Sequence, residues 1–134
     1  MAKISIDQLE GGAALWAWFE GKPSFHDATL VELELRQGAP SKLVARAFRM
    51  ESEIDAYAYF LLTKHVAVTL TFFDLVEVQL FEFMEAGIIN HLEIERDDDG
   101  TTFAFDSSYG VHGRIKAKRV LVTFESRQPE PNGS

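Results

Sequence analysis

His65-Val66-Ala67-Val68-Thr69-Leu70-Thr71-Phe72 decides the fold class, because its side chains change character at nearly every second residue. Val66, Val68, Leu70 and Phe72 fall on one side of an extended chain, and His65, Thr69 and Thr71 on the other. Side chains on a strand repeat every two residues, so the pattern predicts a β-strand with one buried face. Downstream the alternation continues, with Val76, Val78 and Leu80 set against Glu77, Gln79, Phe81 and Phe83. Upstream, Thr29, Val31, Leu33 and Leu35 alternate with Glu32, Glu34 and Arg36. Gly38 and Pro40 then mark a turn before a returning strand from Leu43 to Met50. Tyr57, Tyr59 and Leu61 mark a further strand.

The second half reads the same way. Ile88, Asn90, Leu92 and Ile94 oppose His91, Glu93 and Glu95. Asp99-Gly100 predicts a two-residue type I′ hairpin turn, which needs positive φ at both positions. Phe103 and Phe105 belong to the next strand, Gly110–Gly113 to a turn, and Arg114–Glu125 to the last strand. About eight strands with short turns predict a mainly β protein, an antiparallel β-sandwich or partly open barrel.

One short N-terminal helix is expected over about residues 5–20. Ser5 is placed to cap it, Asp7 and Glu10 suit its positive end, and Gly21-Lys22-Pro23 stops it. Gly11 and Gly12 weaken it, each by about 1 kcal/mol against alanine. The chain of 134 residues reads as a single domain, with the β-domain over about 25–125 and a frayed tail over 127–134. The eleven phenylalanines are expected to build the core.

Composition narrows the function. The absence of cysteine rules out disulfides, thiol nucleophiles and cysteine-held metals. The longest apolar run, Ala13–Phe19, is far too short to cross a bilayer with a helix, and Asp7 and Glu10 suit no secretory signal. A cytoplasmic protein is expected. Net charge is −8, and residues 57–100 hold nine acids against Lys64 and Arg96. Such a chain repels phosphate backbones and anionic lipid, so neither nucleic acid nor membrane is the expected partner. A basic protein is.

No residues assemble into a recognisable catalytic, metal or cofactor motif. Ser24, His26 and Asp27 are too close in sequence to form a triad, since neighbours on an extended chain point to opposite sides. His26, His65, His91 and His112 show no metal-ligand spacing. Asp97-Asp98-Asp99-Gly100 is similar to the start of a calcium loop, but Thr102 and Ser108 stand where the glycine and glutamate are needed. Arg114, Lys116 and Lys118 form the wet face of the last strand and should meet glutamates on a neighbour. The apolar phase changes beyond Lys118, which predicts a bulge near Lys118 and Arg119.

The stretch LWAWFEGKPSFHDATLVELEL resembles the opening of the immunity protein 50 family, an aromatic segment leading into a Pro-Ser-Phe-His-Asp-Ala box and a first strand. KHVAVTLTFFDLVEVQLFEF and IINHLEI are similar to its middle strands, and YGVHGRIKAKRVLVTF to its closing turn and last strand. Together these cover roughly residues 13–125. Glu85-Ala86-Gly87 departs from the polar turn expected there. The resemblance implies a non-enzymatic cytoplasmic inhibitor that binds one cognate bacterial toxin and needs no cofactor. Trp18, Phe25, His26 and Asp27 in the box, and the acids Glu93, Glu95, Asp97, Asp98 and Asp99, are the expected partner-binding residues. For Ser24 and Asp27 a second reading stands beside this one: they hold the turn into the first strand. A β-barrel that binds a small ligand is the alternative class.

Overall fold

A computed structural model describes residues 2–20, 25, 28–54, 60–82 and 87–126. The elements, in chain order, are β1 (Ala2–Ile4), a 3-10 turn (Ile6–Gln8), α1 (Gly12–Phe19), β2 (Ala28–Glu34) and β3 (Ser41–Ile54). After them come β4 (Phe60–Phe81), β5 (Ile88–Asp97), β6 (Gly100–Tyr109) and β7 (His112–Ser126). The protein is mainly β, as the alternation predicts, with one α-helix among the described residues. One sheet runs β1-β5-β2-β3-β4-β7-β6, and β5 also pairs with β6. The hydrogen bonds between β5, β2, β3, β4, β7 and β6 therefore close a ring. The ring is thin at β2–β5, where only Ala28 and Thr29 face Ile89 and Ile88.

Among the described residues seven strands stand where the sequence predicts about eight. The segments read separately around Leu61, Val66–Phe72 and Val76–Phe83 run into one long strand, β4, through Phe81. No glycine or proline interrupts them, and β7 pairs with β4 from Val66 to Phe81. Tyr57, Tyr59 and Phe83 lie outside the described residues, as does the tail 127–134. β1 is the added strand, and three residues are too few to show a period.

The bulge predicted near Lys118 and Arg119 is absent, since β7 stays in register with β4 from Arg119 to Ala117, and an extra residue stands instead in β4. Phe72 and Val120 face inward as a pair, and Leu75 and Ala117 as the next inward pair, with Phe73-Asp74 and Lys118-Arg119 outside between them. Both strands thus change phase together, and Asp74 takes φ 58 to do so. The extra residue is Val76, between the Leu75–Ala117 and Glu77–Lys116 pairs. This unpaired residue shifts the phase of β4 alone, one pair beyond the shared phase change at Lys118 and Arg119.

The helix is shorter than predicted. Gly11 at φ 82 separates α1 from the 3-10 turn, whose start is held by Ser5 N donating to Gln8 Oε1 at 2.9 Å. Beyond it, Glu10 O accepts from Val122 N at 2.7 Å, and Arg119 reaches the Glu10 carboxylate at 2.7 Å. The N-terminal segment therefore covers the outer edge of β7, protecting a stretch that no other strand pairs among the described residues.

Inside, Val66, Val68, Leu70 and Phe72 meet Leu43, Ala45, Val120 and Val122, with Leu15 and Phe19 of α1 packed onto them. Phe72 and Phe103 stack edge to face with centroids 6.1 Å apart. Phe19, Phe25, Phe72, Phe103 and Phe105 are buried, whereas Phe81 is 57% exposed. Buried Ser41 closes the β2–β3 turn by accepting from Arg36 N at 2.7 Å.

Candidate functional site

The acids that the sequence singled out stand on the outer wall of β5, because Ile94 between them points inward against Phe103 and Ile115. Register fixes their neighbours. One row across the wall runs Glu93, Ala104, Arg114, Gln79, and the next runs Glu95, Thr102, Lys116, Glu77. Small residues of β6 thus separate an acidic column from a basic one. On its other side β5 meets β1, where Lys3 faces Glu95 and its Nζ reaches Glu93 at 3.2 Å. His91 Nε2 lies 3.3 Å from the same Glu93 oxygen. These contacts, that of His91 first and that of Lys3 second, hold the Glu93 carboxyl below its ordinary value. The expected pairing of Arg114, Lys116 and Lys118 with glutamates has one clear case, Arg114 with Glu77 at 4.0 Å.

Asp97-Asp98-Asp99-Gly100 is a hairpin turn, but a different one from that predicted. Asp97 faces Gly100, so Asp98 and Asp99 are the two loop residues. Neither has positive φ, which excludes type I′, and Gly100 takes the positive φ of 149 instead. A Cβ on Gly100 would lie 3.0 Å from the Ala117 carbonyl carbon, so glycine is also required for close approach. Asp97 holds the turn: its Oδ1 accepts from Asp99 N at 2.8 Å and Gly100 N at 3.1 Å. Its Oδ2 accepts from Lys116 Nζ at 2.9 Å. Of the three aspartates, then, one belongs to the fold. Asp98 is exposed, and the Asp99 side chain is 82% exposed, with Lys116 at 4.0 Å.

The Lys116 hydrogen bond, followed by that from Asp99 N, lowers the Asp97 pKa, and the same bond raises that of Lys116. The sign follows from linkage. A lowered carboxyl pKa contributes stability that is present above the unfolded value, 3.8, and is lost as pH falls through the lower folded one. Lys116 contributes stability that is present below 10.5 and is lost as pH rises through its higher folded value. Asp97→Asn keeps an oxygen for the turn and removes the ion pair. Its urea midpoint should fall below wild type at pH 7, and the difference should shrink on acidification below pH 3.8. A difference that stays constant with pH would place the stabilisation in the turn alone.

Beside the tip lies an open depression of about 390 Å³ walled by Val76, Arg96, Asp97–Asp99, Thr101 and Lys118. Arg96 Nη2 donates to Gln8 O at 3.2 Å, tying this wall to the N-terminal turn. Val76 is 47% exposed here. The alternation placed it inward, and the bulge turns it out.

Of the box residues, Trp18 and Phe25 do not join this surface. Trp18 is half-buried, with its ring 5.8 Å from that of Phe124. Phe124 pairs with Val68, whereas the acidic tip lies level with Ala117, seven residues back along β7. Phe25, expected at a partner interface, is 7% exposed and belongs to the core, and its carbonyl accepts from Ala28 N at 3.0 Å at the entrance to β2. Ser24, His26 and Asp27 lie outside the described residues.

The remaining histidines are scattered: His65 lies beside Phe48, and His112 stacks on Phe81 at 5.5 Å. Among the described residues no three histidines or acids are grouped to hold a metal. No helix among them is long and apolar enough to cross a membrane. No family model, no curated protein and no solved structure matches this chain.

Proposed function

We propose that the protein is a non-catalytic inhibitor, an immunity protein that binds a basic toxin domain of a bacterial competitor system in the cytoplasm. The observation that carries this reading is the hairpin tip, where Asp98 and Asp99 project beside exposed Val76 while Asp97 anchors the turn. A net charge of −8 spreads the same attraction over longer range. The resemblance of residues 13–125 to the immunity protein 50 family supports the toxin as the partner class. Filling of the interior by Phe72, Phe103 and Ile115 supports action at the surface over small-ligand binding inside.

The test is association with the toxin domain encoded beside this gene, followed by stopped flow. Steering should carry the rate above the roughly 10⁵–10⁶ M⁻¹s⁻¹ of unsteered docking, and added salt should remove most of the gain. Asp98→Asn with Asp99→Asn should slow association and leave the unfolding midpoint unchanged. Absence of such a domain, or a rate insensitive to both salt and the double variant, would overturn the reading.

A further inference from the structure

β4 changes partners along its length. β3 covers one of its edges only as far as Phe72, which faces Ser41, and β7 covers the other as far as Phe81. From Leu75 to Phe81 the β3 side has no strand partner among the described residues. A free strand edge presents a row of N–H and C=O groups that another strand can satisfy. Devices that block such pairing are largely missing here: residues 73–82 contain no lysine and no proline. The bulge at Val76 interrupts the edge, but the five residues from Glu77 to Phe81 keep regular register with β7.

The side chains specify what would fit. Val78 and Leu80 face inward but are only half-buried, so the inner side of this edge is incompletely covered. Glu77, Gln79 and Phe81 face outward, each of them exposed. Residues 73–82 carry Asp74, Glu77 and Glu82 and no base, and the Arg114 that shares Glu77 from the β7 side stands 4.0 Å away in an exposed pair. From this placement we infer that Glu77–Phe81 is a docking edge for an extended basic segment of a protein partner, which joins the sheet as an added strand. Its apolar residues would cover Val78 and Leu80, and a lysine or arginine would stand opposite Glu77. A second copy fits poorly. Two chains of charge −8 repel, and antiparallel self-pairing about Glu77 would set like charges against each other.

This inference rests on the proposed function only for the identity of the partner. The probe is acetyl-Lys-Val-Lys-Val-Lys-amide, titrated into the full chain and followed by amide NMR shifts. Saturable shifts should concentrate at residues 77–81. The same peptide N-methylated on alternate residues, which keeps its charge and loses donors, should not bind there. Glu77→Lys, an exposed substitution, should weaken the wild-type probe by about tenfold, or 1.4 kcal/mol. Shifts centred on residues 97–100, equal binding of the methylated probe, no binding, or self-association through 77–81 without probe would each overturn the docking edge. If the probe docks and no toxin domain binds, the edge stands and the proposed function fails. If a toxin domain binds Glu77→Lys as tightly as wild type, the function stands and the edge fails.

Discussion

Phe72→Ala should cost about 3–5 kcal/mol, enough to consume a large part of the stability of a domain this size. Phe72 is 0% exposed, is paired with Ser41 on one side and Val120 on the other, and meets Phe103 across the interior. Its loss removes apolar burial and leaves a cavity that surrounding strands, fixed by hydrogen bonds on both edges, cannot close. Thr69→Ala, on the outer face of the same strand, should cost under about 1 kcal/mol. Urea unfolding of the two variants measures both. The interior adds a second readout: a dry cavity left by Phe72 should take up benzene and recover part of the lost midpoint. Similar losses at both positions would mean that β4 is buried on two faces and that another layer covers its outer side.

The strands were legible because a sheet with one buried face writes its geometry into the sequence at period two. Val66, Val68, Leu70, Ile94, Phe103 and Ile115 all face inward as their alternation predicts. What the period does not encode is where one strand ends, so the sequence shows β4 as several pieces. Asp74 at φ 58 imitates a break without making one. Local chemistry also misplaced the hairpin by one residue. Asp99-Gly100 carries the composition of a type I′ turn, but Asp97 captures two backbone donors and makes Asp98-Asp99 the loop.

The site was less legible than the fold, for a reason that lies in register. Sequence shows that Glu93, Glu95 and Asp97 share a face, but not that Lys3 lies within 3.2 Å of Glu93 or Lys116 within 2.9 Å of Asp97. Those partners come from strands 90 and 19 residues away. An acidic column that looked free is half neutralised once the strands pair. Conversely, the alternation places Val31 and Val76 inward, yet both are exposed, because each falls at a bulge, which depends on the partner strand and not on the residue itself.

Gly12→Ala should destabilise by about 1–3 kcal/mol, although alanine inside a helix ordinarily gains about 1 kcal/mol over glycine. Packing decides the sign. A Cβ on Gly12 would penetrate the Ile6 carbonyl oxygen and stand 2.7 Å from its carbon. That carbonyl cannot swing aside cheaply, because it accepts from Leu9 N at 3.1 Å, and Gly12 N itself donates to Leu9 O at 2.9 Å. The strain would spread to Glu10, whose carbonyl and carboxylate hold Val122 and Arg119 of β7. A loosened N-terminal segment uncovers a second strand edge, so Gly12→Ala should also self-associate at concentrations where wild type does not. Denaturation midpoints and sedimentation read the two effects separately. A more stable, non-associating variant would show that helix propensity outweighs the contact with Ile6 and that Glu10 guards the β7 edge independently of how α1 begins.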